Sequence, residues 1–308
     1  MKRRSSFRVA AACAALVVGL ETTPATPAEA AAVSSDGVAS AYQLNAEHSG
    51  YAARGVGAPP LTRKWRRHLG GLVSYPLIAD NKVFVTVRAD KGYRNVLRAL
   101  DVRTGRDVWK PVELGGDYMS MITLGAGRVY ALTHTGALAA HDMRTGKLLW
   151  WRQFVNQWAF TGPPTYRDGL VYVAGSGRGG AVYAIDAANG DITWSTNTIS
   201  GDNSSPAVTA DGVYTAHACA RAYRLHPKTG ARIWEHVTHC AGGGGRTPVV
   251  AGDSLWIRDN ARVYPDTALR LTDGTVRTTY GKPGTPGDAY TLAPAFVGAT
   301  GYFVTKGV

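Results

Sequence analysis

Cysteine, acidic residues and helical periodicity are all scarce in this chain of 308 residues, and each scarcity excludes something. Three cysteines cannot frame a small disulfide-dense scaffold. With 22 Asp and Glu against 34 Lys and Arg, the formal charge is +12, so the partners favoured are acidic ones: nucleic acid, anionic lipid or acidic wall polymers. Beyond the first twenty residues no apolar run approaches the eighteen needed for a membrane helix. Nor does any later stretch repeat its apolar residues at a period of 3.6.

What is present begins with a removable leader. Lys2, Arg3, Arg4 and Arg8 precede a short apolar run from Val9 to Leu20, and "AEA" at 28–30 supplies small residues for cleavage. Residues 1–30 therefore read as a secretory signal peptide, which places the protein outside the cytoplasm. Its removal lowers the charge by two and leaves Cys219 and Cys240, an even count that predicts one disulfide in an exported protein. A hydrophobic content of 45% with 37 glycines is that of a globular chain with a large core.

An eleven-residue motif then recurs: "ALDVRTGRDVW" from 99, "AHDMRTGKLLW" from 140, "AIDAANGDITW" from 184, "RLHPKTGARIW" from 224 and a worn "ALRLTDGTVRT" from 268. Its glycines stand at 105, 146, 190, 230 and 274, a period of 40 to 44 residues. A second motif keeps step with it, as in "YPLIADNKVFV" from 75 and "TPVVAGDSLWI" from 247. Each unit predicts a four-stranded antiparallel meander, and units of this length predict a propeller or an array. Asp101, Asp142 and Asp186 can accept hydrogen bonds from the turn that follows them, and Gly105, Gly146, Gly190 and Gly230 supply its positive φ. Trp109, Trp150, Trp194 and Trp234 then read as spacers between neighbouring sheets.

On the pattern Ala-x-Asp-x-x-Thr-Gly-x-x-x-Trp, complete at Ala99 to Trp109 and at Ala140 to Trp150, the sequence resembles the pyrroloquinoline-quinone-binding-like repeat family of β-propellers. That family includes quinoprotein dehydrogenases and the propeller lipoprotein of outer-membrane assembly. The resemblance covers about residues 42–308 and implies an all-β propeller, with residues 31–60 as a lead-in segment and 61–308 as the propeller domain. The expectation is five complete blades and a partial sixth, and two arrangements follow: a ring closed at the sixth blade, or a form truncated from seven or eight blades with an open edge. The strand carrying Trp65 is expected to close the ring by pairing with the C-terminal hairpin, since an open sheet edge invites aggregation.

The loops expected around the channel are rich in arginine. Arg221, Arg246 and Arg258, with Trp158 and Tyr290 as apolar platforms, form the expected ligand- or partner-binding face. Cys219 and Cys240 fall on loops of that same face. Three classes of function follow. A dehydrogenase of the quinone type would need pyrroloquinoline quinone with Ca²⁺, a carboxylate base and, by the resemblance, adjacent cysteines; the chain has no Cys-Cys pair. A polysaccharide lyase could use His239 or Tyr290 beside Arg246, though no spacing singles these out. The expectation carried forward is a monomeric, secreted binding scaffold without catalysis, cofactor or metal. Its partner is a protein or an anionic cell-envelope polymer rather than nucleic acid.

Overall fold

In the computed structural model, residues 39–52, 60–90, 94–116, 118–199, 204–239, 246–258, 264–280 and 293–303 are described. Gly71–Val73 and Leu77–Ala79 share the first position of sheet 1, both pairing with Lys82–Ala89, which is followed by Asn95–Asp101 and Val112–Glu113. Sheet 2 runs in order through Met121–Gly125, Arg128–Leu132, Ala137–Asp142 and Leu148–Gln153. In sheet 3 the first position is again divided, between Gln157–Ala159 and Thr165–Arg167, and Leu170–Gly177, Gly179–Asp186 and Ile192–Thr198 follow. Sheet 4 holds Ala207–Val208, Val213–Ala216, Ala222–Leu225 and Arg232–His236, and sheet 5 holds Val249–Ala251, Ser254–Ile257, Thr267–Arg270 and Val276–Thr279. The hairpin of Ala295–Val297 with Thr300–Tyr302 is a two-stranded sheet 6. All pairings are antiparallel, as short turns between consecutive strands require. The single helical element among the described residues is one 3₁₀ turn, Ala218–Ala220.

First strands of successive sheets lie side by side, and the core is a series of layers between sheets rather than one mass. Leu77, Phe84 and Leu97 of sheet 1 meet Ile122, Leu124 and Val129 of sheet 2. Leu132 and Leu138 of sheet 2 then meet Val171, Val173 and Ile185 of sheet 3. This is a β-propeller, as the repeat predicts.

The tryptophan ladder explains the letters of the motif. A one-residue bulge, between Ala140 and His141 in sheet 2 and at the matching place in sheets 3 to 5, turns the fourth strand so that its indole faces the next sheet. Trp109 Nε1 then donates to Met143 O at 3.4 Å, Trp150 to Ala187 O at 3.1 Å, Trp194 to Pro227 O at 2.8 Å and Trp234 to Leu271 O at 2.8 Å. Each ring lies on the turn glycine of the following sheet; a Cβ at Gly146 would sit 2.8 Å from Trp109, and one at Gly230 2.5 Å from Trp194. Asp142 accepts from the backbone N–H of Thr145 at 2.7 Å and from its hydroxyl at 2.6 Å, which holds its carboxyl below the usual range. Where the fourth copy has His226, its Nδ1 accepts from the Lys228 N–H at 3.2 Å and keeps the turn.

Two departures occur at the ring's ends. Trp65 follows the ladder, donating to Val102 O at 2.9 Å with its ring on Gly105, yet residues 61–69 form no strand. The expected pairing of that segment with the C-terminal hairpin is therefore absent among the described residues. Docking onto sheet 1, reinforced by Arg67 Nη1 donating to Gly105 O at 2.6 Å, commits the segment to its neighbour instead. Sheet 6 is held by rings: Phe296 and Phe303 pack on Trp256 at 4.8 and 5.8 Å, and Phe303 packs on Tyr280 at 4.9 Å, where Thr278 replaces the ladder tryptophan.

Candidate functional site

Residues 39–50, expected only to lead into the propeller, are hydrogen-bonded to first strands around the axis. Ala39 exchanges both backbone bonds with Ile78 of sheet 1, and Ser40 O accepts from the Leu124 N–H of sheet 2 at 2.7 Å. Ala46 O accepts from Val208 of sheet 4 at 2.8 Å, Glu47 O from Val250 of sheet 5 at 2.9 Å, and Ser49 O from Phe296 of sheet 6 at 2.8 Å. Sheet 3 joins through an ion pair of Arg167 with Glu47. The segment is a strap tied to all six sheets. Its backbone is bent for this purpose: Gln43, Leu44 and His48 all have positive φ, a conformation that side chains with a Cβ adopt at a cost of about 1 kcal/mol or more each.

His48 is the strap's anchor and is completely buried. Its Nδ1 lies 3.1 Å from Pro248 O, and since a carbonyl only accepts, the proton sits on Nδ1. Nε2 is then the acceptor, with Ser205 Oγ at 3.2 Å and Thr165 Oγ1 at 3.3 Å, these two hydroxyls being 3.0 Å apart. A serine hydroxyl on a neutral imidazole is the beginning of a nucleophilic site. Here Ser205 is as buried as His48, and the third partner is a carbonyl, so the geometry serves to hold the strap. Thr165, Ser205 and Pro248 fall in the second repeat motif of successive units, but no periodicity marks His48; its one signal in the sequence is the stretch "NAEHSGYAA" at 45–53, too short to state its role.

The residues expected to bind a ligand are placed differently from one another. Arg221, 7% exposed, follows the 3₁₀ turn and is paired with Glu235 at 3.4 Å, with Nη2 donating to Thr238 O at 3.4 Å. Arg258, 9% exposed, is paired through Nε with Asp266 at 2.9 Å. Both guanidinium groups are thus turned inward onto acids of their own sheets. Arg246 is half-buried and Trp158 is exposed. Tyr290 and Cys240 lie outside the described residues. Cys219 is buried within the 3₁₀ turn at φ 68°. The Thr238 hydroxyl donates to its carbonyl. His239 is held by its backbone, whose N–H donates to Tyr264 Oη at 3.1 Å.

Exposed positive charge gathers elsewhere. Around the docked Trp65, Arg63, Lys64, Arg66 and His68 are all exposed, while Arg67 is paired with Asp107. The sequence contained this signal as the run "TRKWRRH", five basic side chains in six positions once the tryptophan is set aside.

Among the described residues no group of three or more His, Cys, Asp or Glu is placed to hold a metal ion. A quinone with Ca²⁺ would need carboxylate ligands near the axis. Glu235 and Asp266 are tied to arginines, and the axis carries the strap's own side chains, so the described residues do not fit that group.

The family described as outer membrane protein assembly factor BamB matches residues 62–150 and 94–268. No curated protein matches the sequence. Among solved structures, the quinohemoprotein alcohol dehydrogenase of Comamonas testosteroni is similar over 82% of this chain and 50% of its own, with TM-score 0.66 and 16% identity. The quinohemoprotein alcohol dehydrogenase ADHIIG of Pseudomonas putida HK5 follows over 80% and 48%, with TM-score 0.63 and 17% identity. A europium-containing methanol dehydrogenase is similar over 79% and 58%, with TM-score 0.59 and 15% identity. The chain spans about half the length of the first two of these, and identities this low speak for the fold alone.

Proposed function

The chain belongs to the family of the outer membrane protein assembly factor BamB, and on that premise we propose that it is an extracytoplasmic, monomeric, non-catalytic propeller that binds a partner through its surface. The partner is an acidic one, a cell-envelope polymer or a protein. No helix among the described residues is long and apolar enough to cross a membrane.

One observation carries the reading. The exposed cations Arg63, Lys64 and Arg66 project from a segment whose indole is fixed on sheet 1, so that the charges are displayed on a rigid base. Two further features are compatible with it: Glu235 and Asp266 are paired with arginines, and the strap is bonded to the first strands of the sheets. Cys219 is taken to pair with Cys240, bracing the loop that leads to Arg246. The resemblance to alcohol dehydrogenases extends to the fold, and no constellation among the described residues favours their chemistry over binding.

The test uses poly-L-glutamate and a polyglycerol-phosphate polymer as probes. Changing Arg63, Lys64 and Arg66 to Ala should weaken binding at least tenfold and flatten its dependence on salt, because screening acts on exposed charges. The control is the same number of changes at the exposed Arg103, Arg106 and Arg144. Equal losses from the two sets would reduce the effect to net charge and refute a site at 63–68.

A further inference from the structure

The layers between sheets are not filled alike. At the position that faces the preceding sheet in the middle of the third strand, sheet 3 has Tyr183 and sheet 4 has Tyr223. Tyr183 lies 4.8 Å from Phe154 of sheet 2, and Tyr223 reaches back to sheet 3, where its hydroxyl accepts from the Ile199 N–H at 3.3 Å. The corresponding residue of sheet 2 is Ala139, by the shared frame Ala140, Ala184 and Arg224 paired with Trp150, Trp194 and Trp234. Where those two tyrosines fill their layers, a cavity of about 330 Å³ opens between sheets 1 and 2.

Its walls are mostly apolar, with Val112, Leu114, Ala139 and Trp151 among them, and its polar side chains are Glu113, which is exposed and paired with Arg94, Thr133, whose hydroxyl bonds within its own turn, and the buried His141. Trp151 pairs with Ala139 and stands 60% exposed at the mouth, the opposite orientation to the docked ladder rings. His141 is 97% buried by its 3% exposure, its Nδ1 donates to Gly146 O at 3.2 Å, and its Nε2 has no hydrogen-bond partner. A buried acceptor without a donor is costly unless a ligand supplies one. Sheet 3 has Ile185 at this position, with no such need. The mouth is open because the outermost strand of sheet 1, Val112–Glu113, has 2 residues where those of sheets 2 and 3 have 6 and 7.

We propose that this gap is a socket for one tyrosine side chain carried on an extended segment of a partner protein, its ring on Ala139 and Trp151 and its hydroxyl donating to His141 Nε2. The occupant follows from the protein's own repeats, in which a tyrosine delivered by a strand fills the same place twice. The volume lies at the small end of ligand sites, suited to a side chain rather than a large cofactor. This goes beyond the anionic partner proposed above and does not depend on the charges at 63–68.

The experiment follows the Trp151 indole resonance, assigned with Trp151→Phe, during titration of the whole protein with p-cresol, toluene and the blocked peptide acetyl-Gly-Tyr-Gly-amide. We expect saturable shifts for p-cresol at about millimolar concentration, as suits so few atoms. Toluene should bind at least fivefold more weakly, and the peptide at least as tightly as p-cresol. Ala139→Tyr, which places in sheet 2 the residue of sheets 3 and 4, should abolish all three responses. His141→Ile should bring p-cresol and toluene to within twofold of each other, and this arm does not require Ala139→Tyr to fold. No shift at Trp151, an undiminished response in Ala139→Tyr, or an unchanged preference in His141→Ile would overturn the socket. Binding of p-cresol without binding of the peptide would overturn the protein partner.

Discussion

His48 Nδ1 and Pro248 O stand 3.1 Å apart across two hundred residues of sequence. Burial keeps that imidazole neutral by pulling its pKa down to about 4, while the Pro248 carbonyl opposes the fall. The unfolded chain takes up the proton near 6.5 and the folded one only near 4, so the stability is fully present above 6.5 and is lost as the pH falls between those values. The loss is up to about 3 kcal/mol by pH 4. Denaturant unfolding at half-unit steps from pH 7 to 4 should show this slope, and His48→Gln should flatten it. A shallower slope should remain in the variant, since burial also lowers His141 and His236.

Gly146 and Gly127 separate two costs in one sheet. Both have positive φ, 74° and 69°, but only a Cβ at Gly146 meets a ring, Trp109 at 2.8 Å; at Gly127 there is open space. Gly127→Ala should cost about 1 kcal/mol, for the backbone alone. Gly146→Ala should cost about 2 to 4 kcal/mol, because the indole must move as well. Equal shifts in unfolding midpoint would mean that the ladder tolerates a displaced ring.

Trp109 and Trp151 make a second contrast. Trp109→Ala should destabilise by about 3 to 5 kcal/mol, since it empties the layer between sheets 1 and 2. Trp151→Ala, at a ring 60% exposed, should change stability by less than about 1 kcal/mol. Thermal or denaturant unfolding of the two variants reads the difference directly.

Arg258 and Asp266 are both nearly buried, 10% and 12% exposed in their side chains, and each is the other's counter-charge. Asp266→Ala should lower the unfolding midpoint, because it removes a carboxylate from a nearly buried guanidinium. Polymer binding by the fraction that remains folded should be unchanged, which separates this pair from the charges at 63–68.

The division between what the sequence announces and what it hides has a physical cause. Gly146 and Trp109 are legible because one turn and one ring must satisfy the same geometry in every sheet, and repetition makes that geometry visible. The aspartates are legible for the same reason, and even His226 is explained once its turn is seen to need only an acceptor. The pairing of Arg221 and Arg258 is not legible, because position on a loop does not state whether a side chain turns outward. Their acids, Glu235 and Asp266, lie 14 and 8 residues away, and only the register of the strands brings them close. Ala139 is silent by nature: a socket made by a missing tyrosine has no letter of its own and emerges only when the sheets are superposed. His48 belongs to no repeat, and its partners Thr165, Ser205 and Pro248 are scattered over the chain.

The strap also sets an order of events. Synthesis produces His48 early, while Pro248 and Phe296, to which the strap is tied, are made some two hundred residues later. Sheets 1 to 4 can each form from neighbouring sequence as they emerge, since their strands are joined by short turns, but the knot at the axis must wait for the latest partners. Contacts of such long sequence separation are slow to form. Until they do, the growing propeller has its earliest segment loose at the centre, and the moment at which that segment seats is the moment at which the nascent chain stops being a string of sheets and becomes one molecule.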